Sequence, residues 1–314
     1  MFRIPVPVNR ECNPIFHIFK DLSLYGMINL FEYINESRNY KKFVIDDLLF
    51  VEYKCVVDET KAGIWSDTNY FVFVTSGKKM WKSIYHEYIV EAGDSLFVKR
   101  GANLVHQYFE EDYCALMIFI SDDFIRNFMG RFSGIVKSNP AVSESTDSVI
   151  RIQLDAYLEG YVNSLAFYFG AHGLPDKNLL KLKFEELLLN MFTQPLHKEV
   201  AHYLGSLNRS QTVQLQQVME ENFAYNLKLE QLAALCNMSL SSFKRAFNSV
   251  YQTAPGKWLL EKRLDFASYL LRSTDKNVND IAFESGFEDT SNFIRSFKRK
   301  FSCTPLQYRT EGTQ

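Results

Sequence analysis

The chain has 314 residues, 46% of them hydrophobic and 23% charged, with a formal net charge of −2. The length is a prior for two domains, and the apolar fraction is ample for folded cores. The near-neutral balance excludes indiscriminate coating of nucleic acid by bulk charge, and no uninterrupted apolar run reaches the roughly 18 residues of a membrane span.

The opening "MFRIPVPVNRECNPIF" lacks the apolar core of a signal peptide. The five cysteines (Cys12, Cys55, Cys114, Cys236, Cys303) are scattered without a C-x-x-C pair, so neither a zinc site nor a disulfide framework is indicated. The expectation is a cytoplasmic protein with no membrane partner.

From about Phe43 to Ile120 the pattern is that of strands. "DLLFVEYKCVV", "NYFVFVTSG", "EYIVEAGDSLFVKRG" and "YCALMIFI" are rich in Val, Ile, Phe and Tyr and are broken by Gly, Asp and Lys. Short strands at this spacing point to a barrel or sandwich. "GDSLFVKRGANLVHQY" resembles the second motif of a cupin barrel. Metal-dependent cupins need clustered His and a carboxylate. The six histidines here (His17, His86, His106, His172, His197, His202) form no H-x-H pair in this region, and His106 alone is motif-like. No metal, no cofactor and no catalytic residue is expected; a cupin-type metalloenzyme is the disfavoured alternative. Tyr70, Phe71, Phe73, Trp65, Trp81 and Tyr85 read as core more than as ligand contacts, because alternation turns about half of strand residues inward.

From about Ser148 to Phe192 the period becomes helical. "RIQLDAYLEGYVNSLAFYF" and "NLLKLKFEELLLNMF" flank the turn "GAHGLPDK". In the second, Leu180, Phe184, Leu187, Leu188 and Met191 form a broad apolar face, for packing on the β domain, for pairing with a second copy, or for both. The expected divisions are 1–147 for the β domain, 148–194 for a helical, dimer-forming segment, 195–208 for a linker and 209–314 for a helical domain.

In that last part "LAALCNMSLSSFKRAF" reads as two short helices. In the second, Phe243, Phe247, Val250 and Tyr251 make one face, and Ser241, Arg245 and Asn248 the other, with Lys244 at the edge. "APGKWLLEKRLDFASYLLRS" is one long helix with Pro255 tolerated in its first turn. "NVNDIAFES" follows, with Asn277 as a cap. Gly286 suits a left-handed turn, and Asp289 caps a helix through Phe301. Phe293, Phe297 and Phe301 form its apolar stripe, with Ile294 beside them. Ser291, Arg295 and Lys298 lie opposite, flanked by Arg299.

The two halves are copies. "RAFNSVYQTAPGKW" aligns with "RSFKRKFSCTPLQY" at an offset of 50 residues, so that Arg245 matches Arg295 and Trp258 matches Tyr308. Upstream, "LAALCNM" matches "IAFESGF" at an offset of 49. Two helix-turn-helix units joined by a stiff helix can address successive major-groove faces, which recur about every 34 Å, from one chain.

"LEQLAALCNMSLSSFKRAF" followed by "DIAFESGFEDTSNFIRSFKRKFSCTPLQYR" closely resembles the DNA-binding domain of AraC-type transcription regulators, over roughly a third of the chain. The resemblance implies a fold of class α+β. It would comprise a cupin-like β-barrel with following helices, then an all-α domain of two helix-turn-helix units joined by a long helix. It implies a non-enzymatic transcription regulator, an activator, that binds double-stranded promoter DNA and RNA polymerase, forms a homodimer and receives a small-molecule or protein signal. Control by a protein anti-activator, with no small ligand, is the alternative. Carried over by position, base reading falls on Ser241, Lys244 and Arg245, and on Thr290, Ser291 and Arg295. Backbone contact falls on Ser239, Asn248, Lys298 and Arg299. Gln252 and Ser302 stand where the family usually has Gly, which puts the local loop geometry in question. The reactive-cysteine motif P-C-H-R of DNA-repair fusions is missing. Residues 207–314 carry 14 Lys and Arg against 11 Asp and Glu, a weakly basic module.

Overall fold

The structure, a computed structural model, describes residues 27–54, 61–108, 112–135, 147–171, 173–207 and 211–311. Cys12, Cys55, His17 and His172 lie outside the described residues. The chain divides into two compact units, in the main Ile28–Arg209 and Ser210–Gln314.

The first unit begins β1 (Ile28–Asn29), α1 (Leu30–Glu36), β2 (Lys41–Ile45), β3 (Leu48–Lys54), β4 (Lys61–Ser66), β5 (Asn69–Ser76) and β6 (Lys78–Lys82). It continues β7 (Glu87–Glu91), β8 (Ser95–Val98), β9 (Gly101–Gln107), β10 (Cys114–Ile120), α2 (Asp122–Arg131), β11 (Val149–Ile152), α3 (Ala156–Gly170), α4 (Lys177–Thr193) and α5 (Lys198–Ser206). The strands form one sheet in the order β1-β4-β9-β6-β7 and another in the order β11-β8-β5-β10-β3-β2.

The second sheet explains the strand composition. Its register aligns Ile150, Phe97, Phe71, Ile118, Phe50 and Phe43 in one row across all its strands. All of them lie in a core shared with Leu158, Tyr161 and Leu165 of α3, Leu180, Phe184 and Leu187 of α4, and Val200 and Leu204 of α5. One residue along, the row Val149, Val98, Tyr70, Phe119 and Leu49 faces the other way, into a core with Ile64, Trp81 and Val90 of the first sheet. A sheet buried on both faces needs apolar residues at successive positions, which is why these strands read as continuous hydrophobic runs. Of the aromatic residues singled out in the sequence, Tyr70, Phe71, Phe73, Trp65 and Trp81 are buried, and Tyr85 is exposed.

A buried polar cluster fastens α5. The Arg100 guanidinium lies 2.6 Å from the Asp122 carboxylate, Asn69 Nδ2 donates to Asp122 Oδ1 at 2.8 Å, and the Tyr203 hydroxyl donates to Asn69 Oδ1 at 2.8 Å. Arg126 Nε donates to the Leu207 carbonyl at 3.3 Å.

Three expectations change here. "VIRI" is strand β11, paired with β8, and the helical run starts only after the cap Asp155, whose carboxylate accepts from Leu158 N. Residues 195–208, expected as a linker, contain a short 3-10 turn (Pro195–His197) and then α5, because Val200, Tyr203, Leu204 and Leu207 supply a face that is buried in the core. The apolar face Leu180, Phe184, Leu187, Leu188 and Met191 of α4 is spent inside this unit and offers nothing to a second copy. Apolar side chains left exposed on α3 and α4 are Tyr157, Phe167, Leu179 and Leu182.

The second unit is helical: α6 (Gln211–Asn222), α7 (Leu229–Leu235), α8 (Leu240–Tyr251), α9 (Pro255–Ser273), α10 (Val278–Glu284), α11 (Thr290–Phe301) and α12 (Pro305–Glu311). The sequence repeat is a structural repeat. Phe247 meets Tyr251 at 4.5 Å and Trp258 at 5.8 Å, and Phe297 meets Phe301 at 4.4 Å and Tyr308 at 5.3 Å. Both Phe247–Trp258 and Phe297–Tyr308 are edge-on, at 79° and 82°. Gln252 and Ser302 both end their helices at positive φ (52° and 62°), so the backbone keeps the turn even where Gly is missing. Among the described residues no helix is long and apolar enough to cross a membrane.

Candidate nucleic-acid interface

Each unit of the repeat is a helix, a tight turn and a second helix. In the first copy α7 leads through Asn237, at φ 54°, into α8. In the second α10 leads through Gly286, at φ 81°, into α11. Caps set the helix starts. Ser239 Oγ accepts from Ser242 N at 3.3 Å, Asn277 Oδ1 from Asp280 N at 2.9 Å and Asp289 Oδ1 from Asn292 N at 2.6 Å, each satisfying an N–H that the helix itself cannot.

The buried side of α8 is Phe243 and Phe247, and that of α11 is Phe293, Ser296 and Phe297. The opposite sides are open. Ser239, Ser241, Lys244, Arg245 and Asn248 are exposed, as are Ser291, Arg295, Lys298 and Arg299; Thr290 is half-buried. Neither helix contains an acid, whereas α8 carries Lys244 and Arg245, and α11 carries Arg295, Lys298, Arg299 and Lys300. Among the described residues Arg245 Nη2 reaches Ser242 Oγ, at 3.4 Å. Arg295, Lys298 and Arg299 make no ion pair among the described residues.

The structure brings the candidate residues onto two exposed helix faces and sorts their neighbours. Ile294, expected beside the apolar stripe, is exposed, and Ser296 takes the inner position instead. Lys300 is turned away to α9, where its ammonium lies 2.7 Å from Asp265 Oδ1 and donates to the Glu261 carbonyl at 3.1 Å. At the N-terminus of α11 the Asp289 carboxylate accepts from Asn292 N and already supplies negative charge. Ser239 Oγ accepts from Ser242 N at its own helix start and remains exposed. Sequence reasoning missed Arg263 of α9, whose guanidinium donates to the carbonyls of Phe223, Tyr225 and Gly286. No motif marks it, because its partners are main-chain atoms.

In the first unit, no group of three or more His, Cys, Asp or Glu could hold a metal ion among the described residues. His106 stacks on Tyr108 at 5.3 Å.

Comparison with known proteins bears on both units. Residues 69–203 match the family described as the ExsA N-terminal regulatory domain, and residues 232–311 match a helix-turn-helix domain family. The HTH-type transcriptional regulator ExsA of Pseudomonas aeruginosa is 31% identical over 233 residues, covering 74% of this chain and 83% of that protein. The chain belongs to the AraC-type transcription regulators. Two further relatives of this regulator carry names that agree. The virulence regulon transcriptional activator VirF of Yersinia enterocolitica and the thermoregulatory protein LcrF of Yersinia pestis are each 28% identical over 254 residues, covering 81% of this chain and 91% of theirs. As an AraC-type regulator the chain is a sequence-specific DNA-binding transcription regulator. Its helix-turn-helix unit is the one whose exposed faces are described above.

Proposed function

We propose that this regulator activates transcription by placing α8 and α11 in the major groove of promoter DNA. The observation that carries the reading is the pair of acid-free, exposed faces with Arg245 and Arg295 at equivalent places, backed by matching Phe clusters. Arg245 and Arg295 read bases, since a guanidinium can bond guanine O6 and N7 together. Ser241, Lys244, Thr290 and Ser291 read bases beside them. Ser239, Asn248, Lys298 and Arg299 hold the phosphate backbone. Activation follows the relatives named as activators and implies contact with RNA polymerase. The regulator acts in the cytoplasm as a homodimer, whose contacts include the exposed Phe167 of α3 and Leu182 of α4. Its N-terminal unit receives the signal, a small ligand or a regulatory protein, which acts by binding one state of the unit better than another.

The test is a selection of genomic fragments by the purified chain at fixed physiological salt, followed by substitution. Recovery of a motif with two elements about one helical turn apart is the expected result. Arg295→Ala is expected to weaken that site by about 1–3 kcal/mol and to relax preference at one base. Lys298→Ala is expected to weaken all sequences alike and to lower the salt slope by about 1. Unchanged specific binding by Arg295→Ala sinks the role given to α11.

A further inference from the structure

Arg263 sits near the middle of α9, away from both reading faces. Its Nε donates to the Phe223 carbonyl at 2.7 Å and its Nη2 to the Tyr225 carbonyl at 2.6 Å. Both acceptors lie in the segment between α6 and α7, which leads into the first helix-turn-helix. Its Nη1 donates to the Gly286 carbonyl at 3.0 Å, in the turn of the second. One planar group on the connecting helix therefore holds a main-chain acceptor from each unit at once. A guanidinium suits this arrangement because its five donors are fixed in one planar fork spread over three nitrogens. Burial lowers the Arg263 pKa to about 10, so the group stays charged at neutral pH.

The surroundings are shaped for this contact. A Cβ at Gly286 would lie 2.9 Å from the Ala224 carbonyl oxygen and 2.9 Å from Arg263 Nε, so the turn of one copy presses on the lead-in segment of the other. Asn226 Nδ2 donates to Glu288 Oε1 at 2.8 Å, a second strap between the same two segments. The long helix alone fixes how far apart its two ends are. These lateral bonds fix the swing of each unit about it.

We propose that Arg263 is a positioning residue that sets the distance and rotational phase between α8 and α11, and so the spacing of the two DNA elements this chain accepts. The proposal rests on both helices reading DNA. Each added base pair displaces one element by about 3.4 Å and rotates it by about a tenth of a turn. A braced pair cannot follow such a change, and an unbraced pair can.

The experiment uses the full chain and the duplex recovered in the selection, rebuilt with its two elements one or two base pairs closer or farther apart. Binding of each is measured by competition at constant salt, together with duplexes carrying one element alone. The unaltered chain is expected to lose about tenfold or more in affinity at a two-base-pair change in either direction. Arg263→Met is expected to flatten that profile to about threefold while keeping its affinity for single elements. If Arg263→Met does not fold, the pair Asn226→Ala with Glu288→Ala, half-buried and exposed respectively, carries the same comparison. A profile that stays sharp in the variants overturns the proposal. So does equal loss on single elements and paired sites, or tolerance of spacing by the unaltered chain. Failure to recover any motif would instead defeat the DNA-reading assignment beneath it.

Discussion

Replacing Gly286 with Ala adds one carbon to the turn of the second helix-turn-helix. The residue sits at φ 81°, where a side chain strains against its own backbone; that strain costs about 1–2 kcal/mol. The added carbon would also lie 2.9 Å from the Ala224 carbonyl oxygen, a main-chain atom that cannot step aside as a side chain can. Overpacking of this kind costs about 1–3 kcal/mol. The expected loss is therefore about 2–5 kcal/mol, concentrated in α10, α11 and the lead-in segment. Gly256→Ala, in the first turn of α9, is the matched control. Nothing lies within 4 Å of its added carbon, so Ala should stabilise the helix by about 0.5–1 kcal/mol. Gly286→Asn separates the two costs. Asn tolerates left-handed backbone, as Asn237 does at the equivalent turn of the first copy. It still brings a Cβ, so it should recover the backbone share only. Hydrogen exchange of peptides from α10 and α11, measured in the full chain, reads the loss where it occurs. A Gly286→Ala chain within about 0.5 kcal/mol of the original would refute the reasoning.

His197 is 2% exposed, and its Nε2 lies 3.6 Å from Asp155 Oδ2, too far for a hydrogen bond. Burial holds its pKa below the usual 6.5, and Asp155 offsets only part of that. The unfolded chain therefore binds the extra proton first, and the first unit should lose stability as the pH falls below 6.5. Urea melts between neutral and mildly acidic pH should show this slope, and His197→Gln should flatten it. Gln252→Gly and Ser302→Gly relieve left-handed strain at the ends of α8 and α11, and each should raise stability by about 0.5–1 kcal/mol in the same melts. If the proposed homodimer forms through the exposed Phe167 and Leu182, Phe167→Glu with Leu182→Glu should lower the mass seen by light scattering to that of one chain.

The helical unit was legible because local signals agree there. Ser239, Asn277 and Asp289 each mark a helix start with an oxygen that accepts a main-chain N–H, and the Phe spacing marks the inner face. The repeat then doubles every signal, and even the unusual Gln252 and Ser302 fall at equivalent turns. The β unit was legible as strands but not as layers, since rows such as Phe43, Phe50 and Phe71 exist only once register is known. "VIRI" was lost because four residues cannot establish a period, and its partner β8 lies about fifty residues away. Residues 195–208 misled because Gly205 and Ser206 look flexible in a sequence, yet both sit inside α5. At the reading face, the wheel placed Arg295 and Lys298 on the open side but could not see Asp265 drawing Lys300 away. Arg263 left no trace at all, since carbonyl acceptors carry no residue identity.

The six-stranded sheet has a mechanical meaning. With Tyr70 and Val72 turned to one core and Phe71 and Phe73 to the other, it is a party wall between two rooms. Interiors this dense transmit displacement more readily than they absorb it. The wall carries packed apolar side chains on both faces. On its far side, Phe50 already rests against Phe184, ring centres 4.0 Å apart. The core between the sheets and the helix α4 therefore share this one wall.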